Sequence, residues 1–137
     1  MKFDYASAAS RHLRDARVLA AQESWDNAAY LAGYVGECGI KAVIEKAGIL
    51  LRRHLPAIRP EHLLVAADLS LAARRYQVDL DADLGTLRSD WTTDLRYAKT
   101  GTIDESTSGD LLVRAGRVFD KTIGAMVLDG LLDRLPK

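Results

Sequence analysis

Apolar positions along the chain recur mostly at steps of three and four, and no run alternates long enough to give a confident strand. Ala9, Leu13, Ala16 and Ala20 form one stripe, with Arg11, Arg14, Asp15 and Arg17 off it, which predicts a first helix over about residues 5–23. Ser24 is a suitable N-cap for a second helix over about 25–47, with Asp26 in its first turn and Gly48 as its C-cap. The stretch "LRRHLPAIRP" then breaks the pattern. Pro60 and Glu61 open a predicted third helix that fades near Tyr76. "DLDADL" reads as a turn and cap region before a short fourth helix over about 83–90. A last helix follows the cap-rich "DESTSGD" and is predicted to run to about 134. Leu111, Leu112, Ala115, Val118, Phe119, Ile123, Met126, Val127 and Leu131 form its broad apolar face. The fold class these elements predict is all-α, an antiparallel helical bundle.

Composition narrows the picture without changing it. The 137 residues suit a single domain spanning 1–137, and 48% of them are hydrophobic. Aromatics are few, Ala and Leu are abundant, and the three prolines (Pro56, Pro60, Pro136) leave most of the chain free of helix breakers. A formal net charge of zero gives no global field toward nucleic acid or an anionic membrane. Cys38 is the single cysteine, so no internal disulfide is expected and a cytoplasmic location is the default expectation. The first 21 residues carry charges throughout, unlike a signal peptide. No uncharged run approaches the roughly 18 residues of a membrane span.

The second helix holds the first unusual feature. In "AAYLAGYVGECGIKAVI" the residues Tyr30, Tyr34, Glu37 and Lys41 share one face, and Leu31, Val35, Cys38 and Ala42 share the next. Glu37 and Lys41 have the favourable i,i+4 order, a pair contributing roughly 0.3–0.5 kcal/mol if exposed. Gly33, Gly36 and Gly39 each cost about 1 kcal/mol relative to alanine inside a helix, so their spacing predicts a second helix packed very close. The second feature is "WTTDLRYAKTG", residues 91–101, which gathers Trp91, Arg96, Tyr97 and Lys99 in a connector predicted to be neither helix nor hairpin.

Together these motifs resemble the HEPN domain family, helical domains named for a nucleotide-binding role. The second helix of many bacterial members follows Ala-Tyr-x-x-Gly-Tyr-x-x-Glu-x-x-x-Lys-Ala, matched here by Ala29, Tyr30, Gly33, Tyr34, Glu37, Lys41 and Ala42. Trp91, Arg96 and Tyr97 match the Trp and Arg-Tyr that precede the last helix in the same branch. The resemblance implies a four- to five-helix up-and-down bundle, often a homodimer, needing no metal and no cofactor. Some members are metal-independent ribonucleases or toxins of toxin–antitoxin and defence systems. Others pair with a nucleotidyltransferase, and others are inactive scaffolds.

One departure bears on catalysis. The ribonuclease branches carry an Arg followed, four to six residues later, by a His. Arg96 is instead followed at 101–103 by Gly101, Thr102 and Ile103. The histidines His12, His54 and His62 all precede the site. Arg96 can stabilise a charged phosphate, but the proton-transfer group has no obvious source.

The other constellations are weaker. Asp79, Asp81 and Asp83 alternate like the start of a calcium loop, but Leu84 and Asp90 stand where Gly and Glu belong. Helix capping by Asp81 or Asp83 is the preferred reading. His12 and Asp15 share a face without a third metal ligand and read as a surface pair. Cys38 reads as a buried packing residue. Arg52, Arg53, His54, Arg59, Arg74, Arg75 and Arg88 could join Arg96 and Lys99 in a phosphate-binding surface, or be ordinary solvated helix ends.

Two compatible readings of "WTTDLRYAKTG" follow. In one it is a plug: Trp91 and Tyr97 pack on the bundle and Arg96 turns inward to pair with Glu37. In the other Arg96 holds a phosphate, Tyr97 supplies a ring or hydroxyl, and Lys99 adds charge. The functional expectation is a HEPN-type module binding a partner protein, a nucleotide or RNA, with Arg96, Lys99, Arg52 and Arg53 on the ligand and Glu37, Lys41, Trp91 and Tyr34 in support. The alternatives are a divergent ribonuclease using Arg96, Tyr97 and His62, and a purely structural adaptor.

Overall fold

A computed structural model describes residues 1–46, 76, 83 and 91–133 of the chain. All regular structure among them is helical. α1 spans Tyr5–Ala21 and α2 spans Trp25–Lys46. A 3₁₀ turn covers Thr93–Tyr97. α3 (Glu105–Phe119) runs directly into a π-helical turn (Asp120–Gly124) and then α4 (Ala125–Leu128), forming one continuous last helix. Among the described residues no helix is long and apolar enough to cross a membrane. The predicted third helix and most of the fourth lie outside these residues, as does Gly48. Tyr76 and Asp83, the two described positions there, are both helical.

The ends of α1 follow from local chemistry. The Asp4 carboxylate accepts from the Ser7 amide at 2.9 Å, capping the N-terminus. At the other end Glu23 adopts φ 61°. This lets the Ser24 amide reach the Leu19 carbonyl and the Glu23 amide reach Ala20, the paired bonds of a Schellman motif. The chain reverses within three residues, so α1 and α2 form an antiparallel hairpin. Ser24 precedes α2 as expected, and its carbonyl accepts from Ala28.

The last helix is capped by Asp104, which accepts from the Thr107 amide at 2.7 Å. It ends at Leu128 rather than near 134. Gly130 turns left-handed at φ 76°, sending the Leu131 amide to the Met126 carbonyl and its own to Val127. Leu131 therefore falls past the helix end and is exposed. The π turn was not foreseen. The Thr122 hydroxyl bonds the Val118 carbonyl at 2.7 Å, and the Ala125 amide reaches back five residues to Asp120.

α2 is the central element, buried on almost all sides from Ala28 to Ile44. Its start meets the start of α3, where the Ser108 hydroxyl donates to the Trp25 carbonyl, and its middle meets the π turn, where Gly39 faces Thr122. α2 and the last helix thus run in the same direction side by side. The core lies between α1, α2 and the last helix, with Ile40, Ile44, Leu111, Ile123 and Met126 fully buried.

Candidate phosphate-binding site

The site is built on the glycine-bearing face of α2. A Cβ on Gly39 would lie 2.7 Å from the Thr122 hydroxyl, so there a helix does approach closely. At Gly33 the neighbour is not a helix but the Trp91 indole, 1.9 Å from where a Cβ would stand. Trp91 is 1% exposed and donates its indole N–H to the Tyr30 carbonyl at 2.9 Å. It stacks beside Tyr30 (centroids 6.4 Å apart) and meets the edge of Tyr34 at 5.2 Å. The plug reading therefore holds for Trp91.

It does not hold for Arg96 and Tyr97. Residues 93–97 wind into a 3₁₀ turn, started by the Thr92 hydroxyl accepting from the Asp94 amide. That turn points both side chains outward, leaving Tyr97 77% exposed. The Arg96 guanidinium lies 4.9 Å over the Tyr97 ring, a cation–π contact. A hydrogen bond to the Tyr30 hydroxyl and the neighbouring Tyr97 push its pKa up, reinforcing its charge. No carboxylate among the described residues pairs with it. The predicted Arg96–Glu37 pair is replaced by Lys41–Glu37 at 2.8 Å. Nor is that pair an exposed one: Glu37 is 2% and Lys41 6% exposed, where Coulomb attraction must offset desolvation of both groups.

The segment after Tyr97 is held from α2. Both oxygens of the Asp26 carboxylate are used, accepting from the Gly101 amide at 2.8 Å and the Ile103 amide at 2.9 Å. These bonds, Gly101 first, pull the Asp26 pKa down. Gly101 sits at φ 90°, a conformation that favours glycine. Lys99, on the tip of this loop, is exposed.

From Arg96 a line of polar groups runs inward. Tyr30 and Tyr34 share a hydrogen bond between hydroxyls at 3.1 Å. Burial, then that bond, pushes the Tyr34 pKa up and keeps the phenol neutral. The Tyr34 ring packs on His12 at 5.6 Å. Burial, reinforced by Arg11, pulls the His12 pKa down. His12 is therefore not half of a surface pair, and Asp15 pairs with Arg14 instead. Cys38, buried as expected, has its thiol pushed up to about 12 by burial.

The sequence reading missed His12, Arg11 and Tyr5 as neighbours of Tyr34 and Lys41. The signal was present in the hairpin register. Residues equally far from Glu23 face each other in an antiparallel pair, which places 12 opposite 34 and 5 opposite 41. Asp83, offered with Asp81 as a helix cap, has a role the sequence did not suggest. It is a buried acceptor for the last helix, 3.1 Å from Arg114, 3.0 Å from Lys121 and 3.6 Å from Arg117. Asp79, Asp81, Arg52, Arg53, His54, Arg59, His62, Arg74, Arg75 and Arg88 lie outside the described residues.

Arg96, Tyr97 and Lys99 together offer a charged fork, an open aromatic ring and a second cation on a loop fixed at both ends. That set can hold a phosphate and stack a base. Comparison with protein-family models, with curated proteins and with solved structures finds no match to this chain.

Proposed function

We propose that this chain is a HEPN-type helical module that recognises the phosphate backbone of RNA or a nucleotide through Arg96, Tyr97 and Lys99. The observation that carries the reading is an exposed arginine stacked on an exposed tyrosine, with no carboxylate among the described residues to neutralise it. A merely structural connector has no need to present both groups to solvent. The test is fluorescence anisotropy of labelled single-stranded RNA with wild type, Arg96→Ala and Tyr97→Ala. Binding should weaken with salt, and each variant should bind roughly tenfold more weakly. Equal binding by all three proteins, or none by wild type, rejects the reading.

One observation favours a second reading, a divergent metal-independent ribonuclease. His12, its pKa pulled down by burial, packs its ring on Tyr34, whose hydroxyl bonds that of Tyr30, and would supply the proton acceptor missing after Arg96. RNA incubated in chelator would then be cut by wild type and spared by both His12→Ala and Arg96→Ala. Intact RNA in every lane retires this reading and leaves binding alone.

A further inference from the structure

A cleft of about 590 Å³ opens between the first turns of α1, the segment preceding it and the middle of α2, on the His12 side of Tyr34. The volume falls within the usual range of small-ligand pockets. Its floor is the Glu37–Lys41 pair beside Cys38, with the Lys41 ammonium also 5.6 Å over the Tyr5 ring. Phe3 meets Tyr5 edge-on at 6.0 Å, and these rings, with Tyr34 and His12 packed together, give the walls flat apolar surfaces.

Charge at the mouth favours an anion. Lys2 and Arg11 line it with one carboxylate, Asp4, while Glu37 and Lys41 neutralise each other on the floor. Asp4 is engaged in capping Ser7, and Glu37 holds Lys41. Lys2 and Arg11 are exposed and have no carboxylate partner among the described residues. A guest would therefore place a ring between the aromatic walls and an anionic group at the rim. A buried ion pair is an expensive floor for a site whose only task is packing, since apolar residues of like volume serve as well. As the floor of a polar pocket it gives a guest fixed hydrogen-bonding groups.

We propose that this cleft binds a small organic anion with a flat aromatic body, its ring against Tyr5 and Tyr34 and its anionic group at Arg11 and Lys2. No residue of the Arg96 loop lines the cleft, and the proposal stands without the function proposed above.

Isothermal titration of the full chain with indole-3-acetate, AMP, acetate and indole tests it. Ring-bearing anions should bind one to one with a dissociation constant of about a millimolar or tighter, while acetate and indole bind far more weakly. Tighter binding of indole-3-acetate marks a free aromatic carboxylate as the natural guest, and tighter binding of AMP marks a nucleotide. Arg11→Glu, a surface change, should weaken binding roughly fivefold or more. Cys38→Trp should fill the cleft and abolish binding, its folding being checked by circular dichroism. Arg96→Ala should leave this binding unchanged while weakening RNA binding, so the two proposals fail separately. The proposal is overturned if neither ring-bearing anion binds, if indole binds as well as indole-3-acetate, or if Arg11→Glu has no effect.

Discussion

At the scale of single residues, the tightest constraint is the meeting of Gly33 with Trp91. The indole lies where a Cβ would stand and is anchored through its N–H to Tyr30, so it cannot slide away. Gly33→Ala should destabilise the protein by about 3 kcal/mol, the upper end of overpacking costs. Trp91→Ala should cost about 3–5 kcal/mol through the cavity it leaves. The double variant should cost no more than Trp91→Ala alone, because without the indole an alanine at 33 regains about 1 kcal/mol of helix propensity. Urea unfolding of the three variants measures the coupling, and simple additivity would show that the contact is not what requires glycine. The glycine spacing in the sequence was a sound sign of close approach. It could not show that an indole rather than a helix fills the gap, because both impose the same absence of a side chain.

At the scale of elements, helix positions were legible and helix ends less so. α1 starts and stops, and α2 starts, within two residues of the periodic pattern because a polar cap and a chain reversal coincide with those ends. The last helix was overextended because its apolar periodicity continues past Gly130, while the backbone stops at a left-handed glycine. The π turn was illegible, since it depends on one hydroxyl, Thr122, competing for a helix carbonyl against Gly39 across the interface. The outward course of Arg96 and Tyr97 also escaped the sequence, because a one-turn 3₁₀ segment has no periodicity to read. The two Schellman ends yield a prediction by contrast. Gly130 takes its positive φ without strain, whereas Glu23 at φ 61° bears the left-handed penalty of a side chain, about 1–2 kcal/mol. Glu23→Gly should therefore raise stability by about 1 kcal/mol in chemical denaturation, and an unchanged or lower midpoint would show that the Glu23 side chain compensates its backbone.

At the scale of the whole molecule, the carboxylates tie distant parts of the chain together and make its stability depend on acid. Asp26 joins α2 to the loop before α3, Asp104 caps α3, and Asp83 reaches three cations of the last helix. Each has its pKa pulled down, Asp26 and Asp104 chiefly by backbone amides. At Asp83 burial pushes upward, but hydrogen bonds from Lys121 and Arg114 outweigh it. A depressed carboxylate stabilises the fold above its unfolded pKa, and that stabilisation is lost as pH falls toward the folded value. His12 acts in the same direction by another route. Burial disfavours its charged form, so the unfolded chain takes up a proton below about pH 6.5 while the native chain resists. Urea midpoints should be level above about pH 7, decline gently through pH 6 as His12 contributes, and fall steeply below about pH 4 as the carboxylates do. Asp83→Asn should cost about 2 kcal/mol at pH 7, less than the loss of a fully buried pair because Arg117 and Lys121 still reach water. The gap between this variant and wild type should then narrow below about pH 4, where protonation removes the same charge from wild type. A gap that stays constant down to pH 3 would mean that Asp83 acts by its shape and hydrogen bonds, and that its charge is not what joins this helix to the rest of the fold.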